Sequence, residues 1–414
     1  MVELNGVFRR EWGATVAALA RWCGDLGVAE DAVQEACAEA LRAWPRDGVP
    51  DNPGAWLLTV ARNRARDRLR RESQRPAREF TAARNEALMR MDSTDPHPVR
   101  DDELRMMFTC AHPALERSSQ LALTLRLVSG LTVAEIARAL LQNEGAVGRR
   151  ITRAKNKIRT TNIPLRVPPA ELLAERLPHV LSCVYSVFTE GYWSTGGPSA
   201  VRDELCDEAL RLSAELCALM PGDRECHALA ALVLLHDSRR ATRVDAARAL
   251  VPLDEQDRRH WDRAKIARGL DRLRTAAGSA GPYLPQAVIA AAHACAPTWE
   301  QTNWVTICAA YDRLVSMTDS PVVRANRALA LGFRDGPAAG LAAVEQVAHD
   351  PRLARSNLVP AVRGDLLRRA GRYTEAAESY RQALERNTSE PGRQFLRRRI
   401  AECSVNPAPS RRPR

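Results

Sequence analysis

The sequence predicts an all-α protein. Apolar residues recur at spacings of three and four along nearly the whole chain. Alternating strand-like runs are almost absent, and Gly and Pro interrupt the helical stretches at short intervals. At 414 residues the chain exceeds one ordinary domain, and 45% hydrophobic residues supply proper cores, so two or three domains are expected.

A first helix is expected over Val7–Cys23, where Phe8, Trp12, Val16, Leu19 and Cys23 form one stripe and Gly24 ends it. A second, Ala29–Ala43, turns Val33, Cys37, Leu41 and Trp44 inward and leaves Asp31, Gln34 and Glu35 on the opposite side. Three prolines and a glycine make Pro45–Pro53 a loop. A third helix runs from Gly54 to Arg71. Trp56, Leu57, Val60, Ala61 and Leu69 form its inner side, and Arg62, Arg64, Arg66, Arg68, Arg70 and Arg71 form a basic surface. Seven arginines between 62 and 75 favour nucleic acid, because the inner side is too small and Ala-rich for a membrane anchor. Residues 73–100 lose periodicity and read as a linker with one short helix near Glu86–Met91. Apolar helices resume at Leu104–Cys110 and Leu121–Val128.

Leu131–Arg159 reads as two helices around a turn at Gln142–Glu144, with Gly145 following. Ile136, Ala137 and Leu140 share one face of the first helix; Val147, Ile151, Ala154 and Ile158 share one face of the second. Between Gly145 and Arg159 stand six basic residues (Arg149, Arg150, Arg153, Lys155, Lys157 and Arg159) and no acidic one. A helix with an apolar stripe and an unopposed basic face suits the DNA major groove. A second Pro-rich junction follows at 160–169.

From Ala170 onward helix follows helix, opened by Leu172, Leu173, Leu177, Val180, Leu181 and Val184. Near the end, Gly364, Gly371, Tyr373, Ala376, Tyr380 and Ala383 fall at tetratricopeptide positions, with small residues at the helix crossing and aromatics in the groove. Residues 320–347 look like a degenerate neighbour. Such pairs stack into arrays that bind peptide or protein. The tail 404–414 is expected to be disordered.

The 61 basic and 50 acidic residues leave a net charge of +11, but the excess is spread over both halves, so local clusters carry the nucleic-acid argument. Ten scattered cysteines without a CxxC pair, and no early apolar run, point to a reduced, cytoplasmic protein. Cys110 and His112 have a metal-like spacing but lack a second pair; Cys206, Cys217, Cys226, His227 and His236 read as core residues. No phosphate loop, GxSxG or HExxH supports an enzyme, and GYWSTGGPS reads as a plain loop. No cofactor is expected.

The order of these parts carries a resemblance. AEDAVQEA, the Pro-rich loop and PGAWLLTVARNRARDRLRRE resemble the second conserved region of extracytoplasmic-function (ECF) sigma factors, and Leu131–Arg159 resembles their fourth. Phe108–Pro113, Glu190–Tyr192, Asp207–Leu212, Gln256–Arg258, Gly281–Tyr283, Ser320–Val323, Asn326–Ala328 and Gly336–Pro337 resemble the subgroup with a long tetratricopeptide-containing extension. The resemblance implies region 2 at 1–75, a linker at 76–103, region 4 at 104–162 and a regulatory helical domain at 168–403. Its implied partners are core RNA polymerase (β′ coiled coil and β flap) and promoter DNA, with a regulatory protein or peptide on the array. Asp31, Gln34 and Glu35 would dock on polymerase. Asp51, Asn52, Arg62, Asn63, Arg66 and Arg70 would hold the −10 element, and Glu144, Gly145, Arg149, Arg150, Arg153 and Lys157 the −35 element. Ala111 replaces an expected cysteine. Gly148 replaces a polar recognition residue, so part of the specificity is expected from DNA shape. The competing reading is a helix-turn-helix activator with a sensor half, which needs no second DNA module.

Overall fold

The structure, a computed structural model, describes residues 2–73, 98–140, 142–165, 168, 170–193, 201–245, 249–387 and 389–405. The expected short helix at Glu86–Met91, most of the linker, Gly196 and Gly197 of GYWSTGGPS and the tail from 406 lie outside the described residues. Helices dominate. Among the described residues the only β contact is an isolated bridge, Val244 to Leu250. The chain divides into two compact units, Met1–Val187 and Phe188–Arg414.

The first unit begins with α1 (Val2–Cys23), α2 (Leu26–Asp47) and α3 (Pro53–Ser73). Gly24 ends α1 at φ 71°, and Asp25 caps α2 by accepting from the N–H groups of Gly27 and Val28. The buried stripe of α2 is Ala29, Ala32, Val33, Ala36, Ala40 and Trp44, which displaces the expected one by a residue: Leu41 is exposed. Small alanines let α1 and α3 approach closely, and that contact outweighs the burial of one leucine.

The loop expected at Pro45–Pro53 is shorter than its prolines suggest. Helix α2 continues through Pro45 to Asp47, and α3 already starts at Pro53. Pro45 forfeits one helical hydrogen bond, but Trp44 is anchored by stacking on Phe8 (5.3 Å) and meeting Trp56 edge-on (5.4 Å). Gly48, at φ 84°, then turns the chain, donating its N–H to Trp44 O.

Next come α4 (Pro98–Cys110), α5 (Arg117–Leu123) running into a π turn (Thr124–Val128), α6 (Val133–Ala139) and α7 (Glu144–Thr160). Val147, Ile151, Ala154 and Ile158 are all buried, as their spacing predicts. Helix α8 (Ala170–Tyr192) buries Leu177, Val180, Leu181 and Val184 but exposes Leu172, its first expected inward residue. The unit boundary falls within it.

The second unit continues through α9 (Asp203–Leu219), α10 (Arg224–Asp237), α11 (Arg263–Thr275), α12 (Tyr283–Cys295), α13 (Trp304–Met317), α14 (Pro321–Arg334), α15 (Pro337–Glu345), α16 (Leu358–Arg369), α17 (Tyr373–Arg386) and α18 (Glu390–Val405). Successive helices pair as hairpins. Gly364 lies so close to the Tyr380 ring that a Cβ there would stand 2.8 Å away, which places a small residue at the α16–α17 crossing.

Candidate nucleic-acid and polymerase interface

Asn143 caps α7, its side-chain oxygen accepting from Gly145 N at 2.9 Å. Glu144 and Gly145 are exposed in the first turn, and Arg149 and Arg153 stand exposed one turn apart. Arg150 donates to Gln142 in the preceding turn, and Lys157 donates to the carbonyl of Ala114. A Cβ at Gly148 would rest 3.8 Å from Val133 Cγ1, so that position lies on the flank of α7 facing α6. Arg149, Arg153, Lys157 and Arg159 are exposed along this face, and Arg150 and Lys155 are partly covered.

On α3, Asn63, Arg64, Arg66 and Arg70 are exposed and Arg62 is half-buried. Two of the arginines on this surface are tied to α2: Arg64 to Glu39 at 2.5 Å and Arg68 to Asp31 at 2.8 Å. Arg66 donates only a long bond, 3.5 Å, to Asn63. Asp51 and Asn52 are exposed, and Asn52 caps α3 by accepting from Ala55 N at 3.0 Å. That bond commits its carbonyl oxygen to the helix.

Asp31, Gln34 and Glu35 lie along the outer side of α2, with Gln34 and Glu35 exposed. Gln34 Nε2 donates to Glu30 Oε1 at 2.9 Å. Glu30 is 4% exposed and forms the centre of a contact that sequence reasoning missed. It accepts from Arg126 Nε at 2.5 Å and pairs with Lys155 of α7. Around it, Trp12 Nε1 donates to Arg126 O at 3.1 Å, and Arg21 pairs with the buried Asp102 at 2.9 Å. Gly13 lets α1 approach the Val128 carbonyl, closer than any side chain would allow. The two expected DNA-binding regions thus pack on each other, and Lys155 of the α7 basic face is turned inward. Nothing local in the sequence marks Glu30, Arg126 or Lys155, because their meeting spans 96 and 125 residues.

Cys110 is fully buried, which pushes its thiol far above the ordinary range, and His112 Nδ1 accepts from Ala114 N to shape a turn. His227 bridges Pro221 O and Arg272, and His236 meets Arg239, so both serve packing.

Comparison with known proteins agrees with this layout. Residues 8–75 match Sigma-70 region 2, residues 105–158 match Sigma-70 region 4, and residues 176–277 match a family of unknown function, DUF6596. A probable ECF RNA polymerase sigma factor, SigI of Mycobacterium tuberculosis, is 31% identical over 36% of this chain and 52% of its own length. The ECF RNA polymerase sigma factor SigK of Mycobacterium ulcerans is 30% identical over 34% of this chain and 75% of its own length. The chain belongs to the ECF sigma-factor family. An uncharacterized protein of Rhizobium meliloti is 42% identical over 95% of this sigma factor and 94% of itself, so the extension travels with the sigma regions. No solved structure matches. As a sigma factor the chain directs transcription initiation, binding core RNA polymerase and promoter DNA; a stand-alone activator is not favoured, because region 2 is present.

Proposed function

We propose that the exposed N-terminal half of α7 reads the −35 element and that α3 with the Gly48–Asn52 loop holds the −10 element. Asp31, Gln34 and Glu35 dock on the polymerase β′ coiled coil, region 4 meets the β flap, and the second unit regulates these steps in cis in the cytoplasm. The observation that carries this reading is the buried Glu30 contact, which links the polymerase face to region 4.

Distances give that contact a role. The two promoter elements lie about 25 base pairs apart, roughly 85 Å at 3.4 Å per base pair. A compact unit of this first unit's length is only about 40 Å across. The packed form therefore cannot touch both elements, and region 4 must leave region 2 before both are bound. The 24 residues between α3 and α4 permit this, with a contour length of at most about 80 Å. Polymerase docking at Gln34 would compete for the carboxylate that holds Lys155 and Arg126. The array is read as tetratricopeptide-like on its hairpin pairing and the Gly364–Tyr380 crossing.

The test is run-off transcription from promoter-bearing DNA with purified core polymerase. A start-site-specific transcript that depends on this protein is expected. Its absence, with the full chain and with the first unit alone, would overturn the reading.

A further inference from the structure

The second unit holds a half-open cavity of about 320 Å3. Its wall gathers Trp299, Trp304, Tyr311, Phe333, Tyr380 and Phe395. The whole chain has eight Trp, six Tyr and six Phe, so six of its twenty aromatic residues converge on this one space. They come from the turn before α13 and from α13, α14, α17 and α18, so several hairpins build the site together. Trp304 and Phe333 stack at 4.1 Å and 7°, and Trp299 meets each edge-on at 5.1 Å. The Arg369 guanidinium carbon lies over the Phe333 ring at 3.9 Å. Tyr380 is buried, and the other five rings keep some exposure.

Charge limits what can enter. The wall carries Asp254, Asp365, Arg369 and Arg399, two of each sign. Each already has a partner. Asp365 pairs with Arg368 at 2.9 Å and Arg369 at 2.8 Å, and Asp254 lies 3.7 Å from Arg369. Arg399 pairs with Glu402 at 2.8 Å and Glu255 at 3.1 Å. His293, stacked on Trp299, is held neutral by burial and by the nearby charges of Arg239 and Arg258, which together push its pKa down to about 3. No charge in the wall awaits a counter-ion, so an ionised ligand would enter without compensation.

We propose that this cavity binds a small, uncharged, planar ring compound of roughly ten to fifteen non-hydrogen atoms. The ring packs against the partly exposed Trp304 and Tyr311 side chains. The segment Pro252–Asp254 forms part of the same wall, and ion pairs from Asp254 and Glu255 hold it to α16 and α18. The assignment goes beyond the sigma function and holds whether or not the array regulates it.

The test uses the full chain and 2-naphthol as probe, followed by the probe's fluorescence and by calorimetry. Saturable one-site binding is expected, with the anionic 2-naphthoate at least tenfold weaker. Asn326→Trp, which fills the cavity from α14, is expected to weaken binding at least tenfold, and Trp304→Leu several-fold, while helical circular dichroism and melting temperature stay near those of the parent. Absence of saturable binding by both 2-naphthol and indole would overturn the proposal, as would unchanged binding in a folded Asn326→Trp protein. Displacement of the probe by short Trp- or Phe-containing peptides at lower concentration than by free ring compounds would also overturn it, assigning the cavity to a protein partner.

Discussion

At the scale of residues, the six positive charges of α7 are not equivalent. Arg149 and Arg153 point to solvent, Arg150 and Lys157 are held by Gln142 and Ala114, and Lys155 is committed to Glu30. Arg149→Ala and Arg153→Ala are each expected to cost about 1–3 kcal/mol of −35 binding by the polymerase complex, measured by filter or anisotropy titration. Arg66→Ala should leave −35 affinity intact, slow promoter opening and reduce the salt slope by about one unit. The Glu30 carboxylate gives a second expectation. Glu30→Gln leaves Arg126 and Lys155 partly buried without their counter-charge, and breaking such a pair costs about 3–5 kcal/mol in the packed form. Faster hydrogen exchange along α7 in the free protein, with docking on core polymerase retained, is the expected result. Unchanged exchange would mean that region 4 does not rest on region 2 in solution.

At the scale of elements, helices were easy to read and their meetings were not. The stripe Val147, Ile151, Ala154 and Ile158 was legible because a helix repeats every 3.6 residues and an isolated amphipathic pattern needs no tertiary information. Spacing alone puts Leu41 in line with Val33, Cys37 and Trp44, but the buried stripe runs one position over, through Ala36 and Ala40, where small residues allow close packing. Pro45 reads as a helix breaker because its cost is local, whereas the Trp44 packing that offsets it is not. Region 4 lying on region 2 left no trace in the sequence, because Gly13, Glu30, Arg126 and Lys155 each look ordinary alone. Gly13 offers a clean test of that packing. Replacing a mid-helix glycine by alanine should stabilise an isolated helix by about 1 kcal/mol. In this unit the new methyl meets the Val128 carbonyl, so Gly13→Ala is expected to destabilise by about 1–3 kcal/mol in denaturant titration of the first unit. The sign of the change decides whether the close approach exists.

At the scale of the whole molecule, the position of a cut matters. The sequence suggested a junction at 160–169, but residues 170–187 belong with the first unit, and Arg117 of α5 donates to Ser182 of α8 at 2.8 Å. A fragment of residues 1–187 is expected to stay monomeric and to melt cooperatively. A fragment ending at 169 lacks Leu177, Val180, Leu181 and Val184 and should aggregate or melt several degrees lower, as size-exclusion chromatography and calorimetry would show.

The ion pairs of Glu255 with Arg398 and Arg399 reach further than the cavity they border. Stacked helical hairpins that touch only their neighbours fray from their ends, losing one repeat at a time. Here a connector is fastened to the last helix, 143 residues later, so fraying of the terminal hairpin also breaks the ties of Glu255. The fastening couples fraying of the last hairpin to loosening of the Pro252–Glu255 connector, by about 0–1 kcal/mol for an exposed pair such as Glu255–Arg398.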